Sequence, residues 1–99
     1  MFVVYGNAKI YLPYCTSLKE KRSVINGLIN RVRKRFNVSI SEVAYHDLWQ
    51  RSVIGFSAVS GKNDELQFLI NIIDETFYNY SSDMEILDFT YEITNMDIE

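Results

Sequence analysis

Two groups of polar residues could bind a nucleic acid. The first consists of cations near the start of a predicted helix: Lys19, Lys21 and Arg22. The second lies near the middle of the chain: His46, Asp47, Trp49, Gln50 and Arg51. Cations bind phosphate groups, an indole stacks on a base, and amide and guanidinium groups hydrogen-bond to base edges. These residue types together favour contacts to nucleic-acid phosphates and bases.

The same region offers little for catalysis or metal binding. Cys15 and His46 could form a nucleophile–base pair, since Cys15 precedes a helix N-terminus that would favour its thiolate. A catalytic zinc site takes three protein ligands, whereas the chain holds one histidine and one cysteine. The motifs GxxxxGK[ST], GxGxxG and GxSxG are absent from the sequence. We therefore expect a non-enzymatic protein with no catalytic residue, metal, cofactor or small-molecule substrate.

The charges are distributed unevenly along the chain. Residues 1–41 contain eight basic residues and one acid, whereas residues 42–99 contain two basic residues and twelve acids. A basic segment in a chain of net charge −3 indicates a basic interaction surface. The alternative is that one basic and one acidic helix each turn a charged face to water, and the sequence leaves that alternative open.

Length and composition predict one soluble globular domain over residues 1–99. Hydrophobic residues make up 47% of the 99 residues and charged residues 23%. No apolar stretch is long enough to cross a membrane, and the first residues lack the basic lead of a signal peptide. We therefore expect a cytoplasmic protein without membrane contacts.

Hydrophobic periodicity predicts the order strand, helix, strand, strand, helix, strand. The strands are predicted over residues 2–12, 38–45, 49–60 and 84–94, with a bulge near Ser41–Glu42. One helix begins after Ser17, which forms a capping box with Glu20, and Asn63 or Asp64 is predicted to cap the other. This order is the split βαβ, ferredoxin-like α+β fold, a four-stranded antiparallel sheet with two helices on one face.

The predicted topology brings the two polar groups to the same end of the fold. We therefore predict a nucleic-acid-binding surface formed by the first helix and the adjacent hairpin edge: Lys19, Lys21, Arg22, Arg31, Lys34, Trp49, Gln50 and Arg51. The strand pattern favours a different role for Trp49, that of a partly buried anchor. Arg51 could instead form an ion pair with Asp47 or a neighbouring acid.

The sheet face opposite the helices is predicted to be open. Tyr5 and Tyr11 would lie there, as aromatic residues do on RNA-recognition domains of similar topology. The last strand would add Asp88, Thr90 and Glu92, and carboxylates repel phosphate. This mixed face therefore fits a dimer contact better than a nucleic acid.

Two short segments carry a family resemblance. They are SLKEKR at residues 17–22 and DLWQR at residues 47–51, with RFNVS at residues 35–39 between them. On these segments the chain resembles the YlxP-like family of small bacterial proteins of unknown function, over nearly its whole length. The resemblance implies a ferredoxin-like fold and no established activity. Genes of the family often lie beside translation genes, ribosome-binding factor A among them, which is an association and not a mechanism.

Two functions from different classes follow. The leading hypothesis is a non-enzymatic RNA- or ribosome-associated protein whose partner is ribosomal RNA or a ribosomal particle. The alternative is a homo-oligomeric interaction module, such as a homodimer, that binds no nucleic acid. Acylphosphatases share the topology but cradle phosphate in a glycine-rich loop, and residues 13–16 here contain no glycine.

Overall fold

The computed structural model describes residues 1–98 and contains six elements. They are β1 (Phe2–Tyr11), α1 (Leu18–Arg35), β2 (Ser39–Ala44), β3 (Arg51–Ser60), α2 (Asn63–Asn79) and β4 (Glu85–Asn95). The strands form one sheet in the order β2-β3-β1-β4, and all neighbouring strands are antiparallel. Both helices cover one face, which confirms the predicted ferredoxin-like fold. Neither helix is long and apolar enough to span a membrane within residues 1–98.

The central strand β1 has the predicted period of two. Val4, Ala8 and Ile10 are buried under the helices, whereas Tyr5 and Lys9 are exposed on the opposite, uncovered face. Because a strand alternates its side chains between two faces, this register also fixes the faces of both neighbouring strands. The uncovered face is the surface on which Tyr5 and Lys9 meet the acids of β4.

Helix α1 is amphipathic and presses its buried stripe on the sheet. Ile25, Leu28 and Val32 recur at helical spacing and are almost fully buried. Gly27 lies under the hydroxyl of Tyr80, and a Cβ atom at Gly27 would clash with that oxygen. The glycine therefore permits the close packing that its position in a helix interior suggests.

Helix α2 and strand β4 close the core with aromatic side chains. Phe56 and Phe89 stack with ring centroids 5.4 Å apart, and Phe77 meets Phe89 edge-on at 5.9 Å. The period of two in the predicted strand over residues 84–94 would put Leu87 on the same face as Phe89, and this expectation is wrong. The register of β4 against β1 shifts between Lys9 and Ile10, so Ile86 points inward and Leu87 is exposed.

Strand β2 is short and carries the other irregularity. Its register against β3 shifts between Glu42 and Ala44, at the bulge predicted near Ser41–Glu42. Strand β2 ends at Ala44 and strand β3 begins at Arg51, so residues 45–50 form a longer loop than predicted. That loop and the start of α1 lie together.

Candidate nucleic-acid interface

The first turn of α1 is capped as predicted. The Ser17 hydroxyl accepts a hydrogen bond from the Glu20 amide at 3.1 Å. The Glu20 carboxylate turns back and accepts from the Thr16 amide and the Thr16 hydroxyl, both at 3.0 Å. A carboxylate therefore already occupies the N-terminus of α1, and a phosphate would have to bind along the side of the helix instead.

The structure corrects the role predicted for Lys21. Its side chain is fully buried, and its ammonium forms a 3.1 Å ion pair with the Glu42 carboxylate. The same nitrogen donates to the backbone carbonyls of three residues, Tyr45 at 2.7 Å, His46 at 3.1 Å and Arg51 at 3.2 Å. Lys21 is therefore not available to a phosphate.

The position of Lys21 in the helix explains its burial. Residue 21 lies four residues before Ile25 and seven before Leu28, so it shares the buried stripe of α1. The Ser52 hydroxyl donates to the Glu42 carboxylate at 2.6 Å and completes the polar cluster. The helical phase of residue 21 is the sequence signal that identifies it as an interior position.

The loop over residues 45–50 is fastened on both sides. Tyr45 has a φ of 62°, in the left-handed region, and its carbonyl also accepts from the Leu48 amide at 3.1 Å. At the other end the Gln50 side-chain amide donates to the carbonyls of Pro13 at 3.1 Å and Cys15 at 3.4 Å. The amide of Gln50, predicted to contact a base, therefore holds the loop against the β1–α1 connection.

Three large hydrophobic side chains are exposed on this fastened loop, the Tyr45 ring and two at its far end. Trp49 is 52% exposed and Leu48 is 47% exposed. The partly buried anchor that the strand pattern favoured for Trp49 is therefore wrong, because β3 begins two residues later than predicted. An exposed indole on a loop held by hydrogen bonds is a ready stacking surface.

Arg51 faces the uncovered side of the sheet. Its guanidinium lies 5.7 Å from the ring centroid of Tyr11, which is its cross-strand partner. The alternative ion pair with Asp47 does not form within residues 1–98, where Lys21–Glu42 is the ion pair present. Arg51 therefore lies beside the loop but on the opposite sheet face from α1.

The remaining predicted residues of α1 divide between two flanks of the helix. The Arg31 guanidinium lies over the Tyr80 ring at 5.1 Å, on the flank next to α2. Arg22 instead lines a groove of about 400 Å³ between α1 and β2. Arg31 and Lys34 also stand roughly 18 Å or more along the helix from Lys19 at 1.5 Å per residue. The structure therefore does not gather the predicted residues into one cluster.

Cys15 and His46 show no sign of nucleophilic chemistry. Cys15 is buried, and that burial, together with the charge of Glu20, raises the pKa of its thiol. This is opposite to the thiolate that the nearby helix N-terminus suggested. An imidazole nitrogen of His46 lies 3.1 Å from the Glu42 carbonyl. Residues 1–98 contain no group of three His, Cys, Asp or Glu side chains placed to hold a metal ion.

Comparison with known proteins decides the family. A family model described as a protein of unknown function (DUF503) matches residues 3–91. The chain belongs to the DUF503 family. This DUF503 protein is also 48% identical over 62 residues to the uncharacterized protein YlxP of Bacillus subtilis (strain 168), a match that covers 59% of this chain and 67% of that protein. The YlxP-like resemblance of the sequence is confirmed.

Solved structures similar to the DUF503 protein support the fold alone. The de novo designed protein Foldit4 superposes with a TM-score of 0.56 at 11% identity, covering 98% of this chain and 100% of the design. A solution NMR structure of a de novo designed protein with ferredoxin fold gives a TM-score of 0.50 at 14% identity, covering 100% and 89%. These matches confirm the ferredoxin-like architecture.

The geometry also explains the two segments that carried the resemblance. The carbonyls of Tyr45, His46 and Arg51 bind the ammonium of Lys21, so the segment SLKEKR holds the segment DLWQR in place. The sequence did not predict a specific contact for one further basic residue, Arg33. Arg33 donates to the Ile40 carbonyl at 2.8 Å, and nothing in the sequence pattern singles it out from its basic neighbours.

Proposed function

We propose that this DUF503 protein is a cytoplasmic, non-enzymatic RNA-binding protein. Phosphates of the RNA would bind along the exposed side of α1, and one base would stack on Trp49. The chemistry fits a single-stranded RNA segment, because exposed aromatic rings read unstacked bases rather than a closed duplex. Ribosomal RNA, free or within a ribosomal particle, is the source that we propose to test first.

The observation that carries the proposal is a set of uncommitted cations on α1. Lys19, Arg22 and Lys34 are exposed and form no ion pair within residues 1–98. They span 15 positions, or about 22 Å at 1.5 Å per residue. Because an exposed cation without a protein partner keeps its charge available, this side of α1 offers several phosphate contacts.

The groove between α1 and β2 supports the same surface. Its helix side carries four polar residues beside the apolar Ile25 and Ile29: Arg22, Asn26, Asn30 and Arg33. The four polar side chains carry hydrogen-bond donors, which fit phosphate and sugar oxygens. The Glu42 carboxylate on the strand side is engaged by Lys21 and Ser52, so much of its charge is compensated.

The loop over residues 45–50 supports the stacking role of Trp49. Lys21 and Gln50 hold the loop at its two ends, so its conformation is fixed before an RNA binds. A preorganised aromatic side chain loses less conformational entropy on binding than a mobile one. Stacking of one base on an aromatic ring contributes about 1–3 kcal/mol.

The test measures binding of fluorescently labelled single-stranded ribosomal RNA fragments by anisotropy across a salt series. Three phosphate contacts give a slope of roughly −2 in a plot of log K against log salt, at about −0.7 per contact. The triple variant Lys19→Ala/Arg22→Ala/Lys34→Ala should lose most of that slope and most of the affinity. Lys21 stays unchanged, since its removal would disturb the fold.

A matched triple variant separates this site from general charge. Lys9→Ala/Arg35→Ala/Lys62→Ala removes the same number of positive charges from the uncovered sheet face, the α2 side of α1 and the β3–α2 loop. It should bind RNA nearly as well as the wild type. Equal losses in both triple variants, or no binding by the wild type at low salt, would contradict the proposal.

A further inference from the structure

The two edges of the sheet differ in how their backbone groups are used. On the β2 edge, Arg33 donates to the Ile40 carbonyl at 2.8 Å and His46 contacts the Glu42 carbonyl at 3.1 Å. Ile40 and Glu42 are alternate residues, so both carbonyls point away from β3. Side chains therefore already occupy the β2 edge, as is common where a protein blocks strand addition.

The β4 edge is longer and carries no such block. β4 has 11 residues, and no side chain within residues 1–98 hydrogen-bonds to the backbone of residues 85–95. Met1 and Met96 exchange backbone hydrogen bonds in both directions, at 2.7 Å and 3.0 Å. In an antiparallel pair every second residue hydrogen-bonds to the partner strand. Because Met96 bonds to Met1, the even-numbered residues of β4 face β1, and the backbone groups of Phe89, Tyr91 and Ile93 point away from it.

The segment over residues 88–94 is complementary to itself. When two copies are paired antiparallel about Tyr91, Phe89 lies opposite Ile93 of the second copy and Tyr91 lies opposite its own counterpart. On the uncovered face Asp88 then meets Thr94, and Thr90 meets Glu92. Aromatic residues thus meet aromatic or β-branched residues, and each acid meets a threonine rather than another acid directly opposite.

We propose that two copies of this chain pair through their β4 strands and form a continuous eight-stranded sheet. The pairing uses the outward backbone groups of Phe89, Tyr91 and Ile93, which exchange hydrogen bonds with Ile93, Tyr91 and Phe89 of the second copy. Phe89 and Ile93 are only partly buried in the single chain, and Tyr91 is 40% exposed, so apolar surface is covered as well. The bulge at Leu87 ends the pairing.

The second copy lies far from the proposed RNA surface. β2 and β4 are the opposite edges of the sheet, and the groove lined by Arg22 lies between α1 and β2. Dimerisation through β4 would therefore leave both α1 surfaces free. The inference stands independently of the proposed RNA binding, and either can fail alone.

Sedimentation equilibrium over micromolar to millimolar concentrations tests the pairing with a matched set of variants. Thr94→Asp places an acid opposite Asp88 of the second copy, whereas Thr94→Lys places a cation there. Because the two-fold axis repeats each contact, the dissociation constant should rise about twofold to thirtyfold for Thr94→Asp and fall by a similar factor for Thr94→Lys. Ser39 is exposed on the β2 edge, so Ser39→Asp and Ser39→Lys should leave the dissociation constant unchanged.

A distance measurement checks the register. Nitroxide labels at Thr94→Cys, in a Cys15→Ala background, should lie about 20 Å apart between backbones, because six residues at 3.4 Å separate the two positions across the axis. A protein that stays monomeric at millimolar concentration would overturn the proposal. So would a dimer that responds to the Ser39 variants and not to the Thr94 variants, or labels that lie far beyond this distance.

Discussion

Lys21 places a positive charge inside a small domain, and four oxygen atoms surround it. They are the carbonyl oxygens of Tyr45, His46 and Arg51 and one carboxylate oxygen of Glu42. The attraction between two buried charges offsets their loss of hydration only when such hydrogen bonds are complete. The cluster therefore fixes the loop over residues 45–50, and the stability of that arrangement depends on the Lys21 side chain.

Replacement of Lys21 should therefore be severe. Lys21→Met keeps the bulk of the side chain, but it leaves the Glu42 carboxylate without its cation and removes the ammonium that donates to the three carbonyls. We expect the free energy of unfolding to fall by about 3–5 kcal/mol, measured by urea denaturation. Lys19→Met, an exposed change two residues away on the opposite side of α1, should alter it by less than about 0.5 kcal/mol. A Lys21→Met protein as stable as Lys19→Met would refute this role.

Asp74 gives a prediction about pH. One of its carboxylate oxygens is buried and has no hydrogen-bond partner among residues 1–98, and burial, with the charge of Glu75, raises the pKa of this group. The folded protein then binds the proton more tightly than the unfolded chain, so this group lowers stability as pH rises through the folded pKa. Asp74→Asn should stabilise the protein at neutral pH by a few tenths to about 1 kcal/mol.

The check for Asp74 is a pair of thermal unfolding series for wild type and Asp74→Asn. The Tm of Asp74→Asn minus that of the wild type should be positive at neutral pH. It should shrink below the pKa of an ordinary aspartate, because there the Asp74 carboxyl is protonated in both the folded and the unfolded wild type. A difference that grows in acid would show that the group has a lowered pKa instead.

At the level of elements, the order and faces of the strands and helices follow from periodicity. Val4, Ala8 and Ile10 face the helices because strand alternation leaves one apolar side on β1. The bulge at Leu87 and the start of β3 at Arg51 do not follow. They depend on which backbone groups β1 and Lys21 bind, and that information lies in distant parts of the chain.

The packing of α1 against Tyr80 gives a second prediction at this level. Gly27→Ala should improve helix propensity by about 1 kcal/mol, but its Cβ would clash with the Tyr80 hydroxyl. We expect Gly27→Ala alone to destabilise the protein by about 1 kcal/mol. In a Tyr80→Phe background, where that oxygen is absent, the same change should become neutral or stabilising. Chemical denaturation of the four proteins decides it, and the idea fails if Gly27→Ala has the same effect in both backgrounds.

The candidate site was predicted from the sequence only in part. Exposed cations on α1 and a tryptophan near its start were foreseen from topology, since both lie at one end of the split βαβ order. That Lys21 is buried and that Arg31 turns toward α2 were not, because a run of basic residues does not reveal which positions face the interior. The helical phase that residue 21 shares with the apolar stripe of α1 indicates that it is buried, but its place in a run of basic residues suggested an exposed one.

For the whole molecule, the account rests on an uneven distribution of charge. Helix α1, with its basic side chains, packs beside β2, whereas the acids of β4 lie on the other edge strand of the sheet. This arrangement gives a chain of net charge −3 a surface that attracts RNA and a separate edge that a second copy can cover. The two proposed contacts are therefore compatible in one assembly.

The measurement that tests RNA binding most directly is the fluorescence of Trp49, the single tryptophan of the chain. The account predicts that single-stranded ribosomal RNA quenches this fluorescence at low salt and that added salt reverses the quenching. It also predicts that the variant Lys19→Ala/Arg22→Ala/Lys34→Ala requires far more RNA for the same quenching. The variant Lys9→Ala/Arg35→Ala/Lys62→Ala should be quenched as the wild type is. Unchanged fluorescence at saturating RNA, or quenching that salt and the α1 variant leave intact, would contradict it.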